Sequence, residues 1–354
     1  MSMKFRRIGV LTSGGDAPGM NAAVRAVTRT AIAHGVEVMG IYEGYKGLIN
    51  ENMKLFGDRD VSNIINLGGT ILYSDRCLEF KTEEGMRKAI ETCRKNMIDG
   101  IVAIGGDGTF RGATDLTARG IPTIGIPGTI DNDITSTDYS IGFDTAMNTV
   151  IQMVDRLRDT CESHARCNVV EVMGRNAGYI ALETGIAVGA TAIVLRECPF
   201  DEAAALEKIK ALKATGKRNF IVIVAEGVEN YSEGFAKKIQ AETGIETKFA
   251  RLAHVVRGGS PTLRDRLMAA RMGEEAVNLL LDGKSNLVVC ERDSKIVAMD
   301  ITYGQMLDRM YKGTLKDGDL DRFSEAEIED MKAFCKMRSD WFDKLYQVAN
   351  TISN

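Results

Sequence analysis

Short apolar runs, each stopped by glycine or a polar residue, recur along the chain at positions 8–11, 36–42, 101–104, 122–126, 169–173, 192–195, 220–225 and 286–290. Runs of this length and apolarity read as strands buried on both faces. Between them apolar residues take helical spacing, as at Met20, Ala23, Val24, Val27 and Ala31. Pro18 ahead of this series suits a first helical turn, where its missing N–H costs nothing. Strand and helix alternate almost throughout, which predicts an α/β class with largely parallel sheets covered by helices on both sides. The tail reads differently. Ser324 and Glu327 form a capping box ahead of a helical stripe made by Ile328, Met331, Phe334, Trp341, Phe342 and Leu345, so a docked C-terminal helix without a catalytic part is expected there.

The 354 residues, 44% of them apolar, suffice for a full core and suggest two domains. Net charge is −4, so no global basic field is offered to nucleic acid or to an anionic membrane. An anionic ligand must then be held by locally clustered Arg and Lys. The seven cysteines are scattered and show no zinc spacing, which points to reduced thiols in a cytoplasm. No stretch approaches the roughly 20 apolar residues of a membrane span.

Three strand ends carry candidate chemistry. The first, Thr12-Ser13-Gly14-Gly15-Asp16-Ala17-Pro18-Gly19-Met20-Asn21, is a glycine-rich turn into a helix whose free N–H groups suit a phosphate; taken alone it reads equally as a tight turn. It has neither G-x-G-x-x-G nor a Walker lysine. The second, Gly105-Gly106-Asp107-Gly108-Thr109, sets a carboxylate at a strand end where it can reach Mg²⁺ on a triphosphate or simply cap a helix. The third, Pro127-Gly128-Thr129-Ile130-Asp131-Asn132-Asp133, offers two carboxylates one residue apart on an extended segment. One can accept a hydroxyl proton while the other orients the acceptor or holds metal, though an Asx turn would look similar. A base, a metal carboxylate and an Arg are the minimum set for phosphoryl transfer.

With Met173-Gly174-Arg175 and His254-Val255-Val256-Arg257-Gly258-Gly259-Ser260-Pro261 added in order, the chain resembles the bacterial ATP-dependent 6-phosphofructokinases from Arg7 to about Leu307. The resemblance implies two Rossmann-like three-layer α/β/α domains with the active site in the cleft between them, where the carboxylates of Asp107 and Asp131 face each other. It implies an ATP site at Gly15, Tyr45, Arg76, Cys77, Gly106, Asp107, Gly108 and Thr109, with Asp107 the Mg²⁺ contact. Asp131 would be the general base, Thr129 and Asp133 its supports, and Arg175 and Arg76 the transition-state and nucleotide-phosphate arginines. Met173, Gly174, Glu226, His254 and Arg257 would form the fructose 6-phosphate pocket, with Arg166 and Lys248 reaching in from a neighbouring subunit of a homotetramer. The implied domains are 1–142 with about 256–305 for ATP, and about 143–255 with 306–323 for the sugar, followed by a helical extension over 324–354.

Departures from the family pattern change the expectations. Lys248 stands where the family usually has Arg, so the bidentate fork is lost and a weaker, more salt-sensitive grip on the 6-phosphate is expected. Cys77 replaces an aromatic residue beside the nucleotide. Arg25, Arg29, Arg158, Gly189 and Lys217 match effector-site positions for ADP or phosphoenolpyruvate. Asp58, Thr191, Thr215 and Asn219 replace charged or ligand residues of that site, so blunted allostery is expected. A pyrophosphate-dependent phosphofructokinase is the nearest rival, but that branch tends to carry Asp in place of Gly108 and Lys in place of Gly128. A catalytically silent homologue is disfavoured because base, metal carboxylate and both arginines are present. NAD and lipid kinases share only the 105–109 loop.

Overall fold

The computed structural model describes residues 5–353, which divide into two compact units. The first comprises residues 5–130, Ile134–Thr145 and Arg257–Met331; the second comprises Asp131–Asp133, Ala146–Val256 and residues 332–353.

In the first unit the chain forms β1 (Arg7–Ser13), α1 (Met20–Ala33), β2 (Glu37–Ile41), α2 (Gly44–Ile49), β3 (Met53–Phe56), α3 (Glu83–Lys95), β4 (Gly100–Gly105), α4 (Asp107–Ala118) and β5 (Thr123–Pro127). It then enters α5 (Phe143–His164) and builds the second unit from β6 (Cys167–Val172), α6 (Tyr179–Ala187), β7 (Ala192–Val194), α7 (Glu202–Ala214), β8 (Phe220–Ala225), α8 (Ser232–Thr243) and β9 (Thr247–Arg251). It returns to the first unit with α9 (Leu263–Leu281), β10 (Leu287–Arg292), β11 (Lys295–Asp300) and α10 (Ile301–Tyr311), and ends in α11 (Glu325–Ile352).

The first unit holds a seven-stranded sheet in the order β11-β10-β5-β4-β1-β2-β3 and the second a four-stranded sheet in the order β7-β8-β6-β9. All pairings are parallel except β2 with β3 and β10 with β11, at the two edges of the larger sheet. This is the expected α/β architecture with three strands added, β3, β9 and β11, all on sheet edges. Edge strands are half-solvated, so their sequences lack the continuous apolar run that marks a central strand.

Ile101, Val102, Ala103 and Ile104 of β4 are fully buried. Burying each branched side chain contributes about 1.5–3 kcal/mol, and cutting one back to Ala would cost about 2–5 kcal/mol. The C-terminal capping box forms as expected: Glu327 N–H donates to Ser324 Oγ at 3.3 Å and Ser324 N–H donates to Glu327 Oε2 at 2.8 Å. Met331 and Phe342 of the stripe are buried, whereas Trp341 is exposed. Residues 306–323, expected with the sugar domain, lie in the first unit, where Asp308 accepts from Thr135 Oγ1 at 2.7 Å. No helix among the described residues is long and apolar enough to cross a membrane.

Candidate functional site

The carboxyl ends of β1, β4 and β5 lie side by side, with Ser13 registered to Gly105 and Gly105 to Pro127. The three glycine-bearing loops therefore leave one edge of the sheet together. Strand order reverses between β1 and β4, the place where open α/β sheets bind ligands.

The first two loops touch. Thr109 Oγ1 donates to Ser13 O at 3.0 Å, and a Cβ added at Gly105 would lie 2.4 Å from that same carbonyl oxygen. Only glycine permits this approach. Gly106 and Gly108 differ, since a Cβ at either meets nothing within 4 Å. Asp107 opens α4 between them and pairs with Arg111 one turn on. A single carboxylate flanked by open glycines suits Mg²⁺, which takes one or two protein carboxylates and fills its shell with water and phosphate oxygens.

Tyr45 lies beneath this loop, not on its surface. It is buried, donates its hydroxyl to Thr109 O at 2.6 Å and stacks on Phe80 with ring centroids 4.1 Å apart. Burial, followed by the nearby Asp115 carboxylate, pushes its phenol far above the ordinary range. Cys77 packs against the cluster that contains both rings, while Arg76 is exposed. In the first loop, Gly15 faces Arg257: a Cβ there would lie 2.1 Å from Arg257 Nη2. Arg257 Nη2 also donates to Asp16 O at 2.8 Å and lies 3.2 Å from Asp16 Oδ1. Arg257 Nε is buried with no hydrogen-bond partner. Arg257, expected in the sugar pocket, is thus held on the glycine turn after β1.

The third loop crosses from one unit to the other. Thr129 O accepts from Ser140 Oγ at 2.7 Å in the first unit, and Asp131, Asn132 and Asp133 belong to the second. There the Asp131 carboxylate, nearly buried, lies 3.6 Å from Arg175 Nε. Met173, Gly174 and Arg175 follow β6, and Glu226 follows β8, its parallel neighbour. Glu226 Oε1 accepts from Gly174 N at 3.2 Å and from Arg175 N at 2.7 Å. The carboxylate thereby holds Arg175 in a left-handed backbone, φ 52°, that an arginine does not choose by itself. His254 is exposed in the short turn Ala253–Arg257.

Arg166 and Lys248 are brought together, but elsewhere. Glu246, a residue no motif singled out, bridges them, with Oε2 2.8 Å from Arg166 Nε and Oε1 2.8 Å from Lys248 Nζ. The two cations pull its carboxyl down to about 2. This cluster sits where β6 and β9 begin, whereas Gly174, Arg175 and Glu226 sit at the far ends of β6 and β8. The 6 residues of β6, at about 3.3 Å each, put about 20 Å between the two groups.

Of the effector positions, Arg158 and Lys217 gather in the second unit. Arg158 Nη1 donates to Asn219 Oδ1 at 3.0 Å and Nη2 donates to Val188 O, next to Gly189. Burial first, then Arg158, lowers the Lys217 ammonium. Arg25 and Arg29 lie on α1 in the first unit, and Arg29 Nε is buried with no hydrogen-bond partner.

The family model described as phosphofructokinase matches residues 7–280. The chain is 53% identical over 298 residues to an ATP-dependent 6-phosphofructokinase of Halalkalibacterium halodurans, covering 84% of this chain and 93% of that one. It is 51% identical over 311 residues to ATP-dependent 6-phosphofructokinase 1 of Clostridium perfringens, covering 88% and 97%. Among solved structures, a phosphofructokinase from Saccharomyces cerevisiae superposes with a TM-score of 0.83 at 33% identity; the match covers 93% of this chain and 50% of that longer one.

Proposed function

Since the chain belongs to the phosphofructokinase family, we propose that the loops after β1, β4 and β5, with Asp131 and Arg175, transfer the γ-phosphoryl group of ATP to the 1-hydroxyl of fructose 6-phosphate. The activity is that of an ATP-dependent 6-phosphofructokinase, a phosphotransferase of glycolysis. The observation that carries the assignment of residues is the Asp131–Arg175 pair, a shielded carboxylate beside an exposed cation.

Asp131 accepts the proton of the 1-hydroxyl as the O–H bond breaks and the new O–P bond forms. In-line transfer through a loose, charge-rich transition state leaves the protein to position and to neutralise, and Arg175 supplies positive charge to the equatorial oxygens. Thr129 and Asp133 hold the acceptor segment on either side of Asp131. Open space over Gly106 and Gly108 leaves room for the triphosphate, with Gly15, Thr109, Arg76 and Cys77 around it. Tyr45 supports that loop from below through Thr109. Mg²⁺, held by Asp107 when bound, would neutralise the β- and γ-phosphate oxygens.

The unpaired Arg257 Nε supports an anion-binding role, because a buried guanidinium N–H without an acceptor is costly unless a ligand supplies one. Met173, Gly174, Glu226 and His254 are assigned to the sugar phosphate. Arg166 and Lys248 lie too far from Glu226 along the sheet to serve that pocket, which supports their use by a neighbouring subunit and hence a homo-oligomer, a tetramer by family precedent.

A coupled assay of the purified chain with fructose 6-phosphate, comparing ATP with pyrophosphate, tests the reading. Turnover with ATP is expected, and Asp131→Ser is expected to lose about 10²-fold or more in kcat. Turnover with pyrophosphate alone, or full activity in Asp131→Ser, would overturn it.

A further inference from the structure

The family match ends at residue 280, and α11 lies wholly beyond it. Even so, this helix reaches the loop that carries Asp131. Arg338 of α11 is 8% exposed. Its Nε donates to the Tyr179 hydroxyl at 2.7 Å, its Nη2 donates to the carbonyl of Asn132 at 3.1 Å, and its guanidinium lies 5.0 Å from the centre of the Tyr179 ring. All of these residues belong to the second unit.

The two groups that Arg338 holds stand next to the reacting pair. Asn132 separates Asp131 from Asp133, and Tyr179 opens α6 directly after the loop that presents Arg175. One guanidinium therefore fastens the two segments whose side chains meet at the Asp131–Arg175 contact of 3.6 Å. Both segments hold a left-handed residue, Arg175 at φ 52° and Asn132 at φ 51°. Asparagine adopts that backbone more readily than other non-glycine residues, whereas at arginine it persists only where its surroundings over-determine it. Glu226 restrains the Arg175 side through two backbone N–H groups; Arg338 restrains the Asn132 side.

Helix docking alone does not explain a buried cation here. Trp341 and Phe342 already pack on Tyr179, with ring centroids at 6.4 and 5.3 Å. A guanidinium removed from water is costly unless its donors find fixed acceptors, and an apolar side chain would dock the helix at lower cost. We infer that Arg338 is a positioning residue for phosphoryl transfer, which holds the Asn132 peptide and Tyr179 in register and so sets the placement of the Asp131 carboxylate against Arg175. The inference rests on the assignment of Asp131 as the base.

The test uses the full chain and the variants Arg338→Lys, Arg338→Met, Tyr179→Phe and Ala333→Gly, with kcat, both KM values and Tm measured for each. Arg338→Met is expected to lose about 30-fold or more in kcat with the KM for ATP within about twofold, the size of effect that slight misplacement of a reacting group produces. Arg338→Lys keeps the charge but not the fork, and should lose about tenfold at nearly native Tm. Ala333→Gly weakens an exposed turn of α11 without touching this contact, and should lower Tm while leaving kcat unchanged. Amide exchange over residues 129–134 should quicken about tenfold in Arg338→Lys.

The inference is overturned if Arg338→Lys and Tyr179→Phe both keep kcat within about twofold of native, or if Ala333→Gly loses kcat in proportion to Tm as Arg338→Lys does. Should Arg338→Met fail to fold, the lysine and phenylalanine variants decide. Native chain and Asp131→Ser run alongside: loss of the distinction between those two sinks the base assignment, whereas the exchange rates still report whether Arg338 holds the loop.

Discussion

Arg175 Nε stands 3.6 Å from Asp131 Oδ2, with the carboxylate side chain 9% exposed and the guanidinium side chain 55% exposed. At that separation the two are an ion pair without a short hydrogen bond, with the arginine turned to solvent and the carboxylate shielded. Groups that act together in one step show non-additive losses. Asp131→Asn and Arg175→Ala should each cost about 10²-fold or more in kcat, and the double variant should cost much less than the product of the two. Steady-state kinetics on the four proteins decide it; strictly multiplicative losses would mean that the two act independently.

Glu226 is a backbone clamp, its Oε1 accepting from the Gly174 and Arg175 N–H groups. Glu226→Ala strands two amide N–H groups, those of Gly174 and Arg175, and frees a strained residue. A loss of about 2–3 kcal/mol in transition-state stabilisation is expected, seen as a drop of about 30- to 200-fold in kcat/KM for the sugar phosphate. Glu226→Gln keeps an acceptor oxygen and should recover part of it. Equal losses in both variants would show that the negative charge matters more than the clamp.

Glu246 makes a prediction with a sign. Its carboxyl is drawn from an ordinary 4.5 to about 2 by Arg166 first and Lys248 second. A carboxyl lowered on folding adds stability above its unfolded pKa, and that contribution fades as pH falls through the folded value. The Tm difference between native protein and Glu246→Gln should therefore be full above about pH 5 and shrink towards pH 2, as a thermal series over that window would show. The same variant releases two cations, so its KM for fructose 6-phosphate at neutral pH should fall about two- to fivefold. A rise in KM would remove Arg166 and Lys248 from the sugar site.

Asp265 holds the start of α5 to α9. It is fully buried and accepts from Tyr139 OH at 2.5 Å, Gly142 N at 2.6 Å, Thr145 N at 2.9 Å and Thr145 Oγ1. Burial pushes its carboxyl up, and Thr145 first, then Tyr139, pull it back. Asp265→Ala leaves those donors buried without an acceptor and should cost about 3 kcal/mol or more. Denaturant titration checks it; a loss under 1 kcal/mol would mean that water replaces the carboxylate.

The parts legible in the sequence are those in which one local stretch carries the whole signal. An apolar run that ends in glycine marks both a buried strand and the open loop beyond it, so β1, β4 and β5 and their loops could be read directly. Edge strands such as β9 carry no such run, because half of each is solvated. Glu246 could not be read, since it meets Arg166 only through the parallel pairing of β6 and β9. Arg338 reaches Asn132 across 206 positions of sequence, and nothing near either residue announces the partner. Tyr45 is implied at the ATP site, and the structure shows it buried with its hydroxyl on Thr109 O: an aromatic residue can line a ligand or prop up a backbone, and sequence alone does not separate the two.

The pinch at Gly105 has a consequence for how this enzyme could be altered. Position 105 has no room for a methyl group, while positions 106 and 108, on either side of Asp107, have nothing overhead. A designer, or random mutation, can therefore add bulk or charge at 108, in the loop proposed to hold the phosphoryl donor, without disturbing the joint between the two loops. The same change at 105 would break that joint first, so on the proposed reading of this loop, variation towards other donors is open to the neighbours of that glycine and closed to the glycine itself.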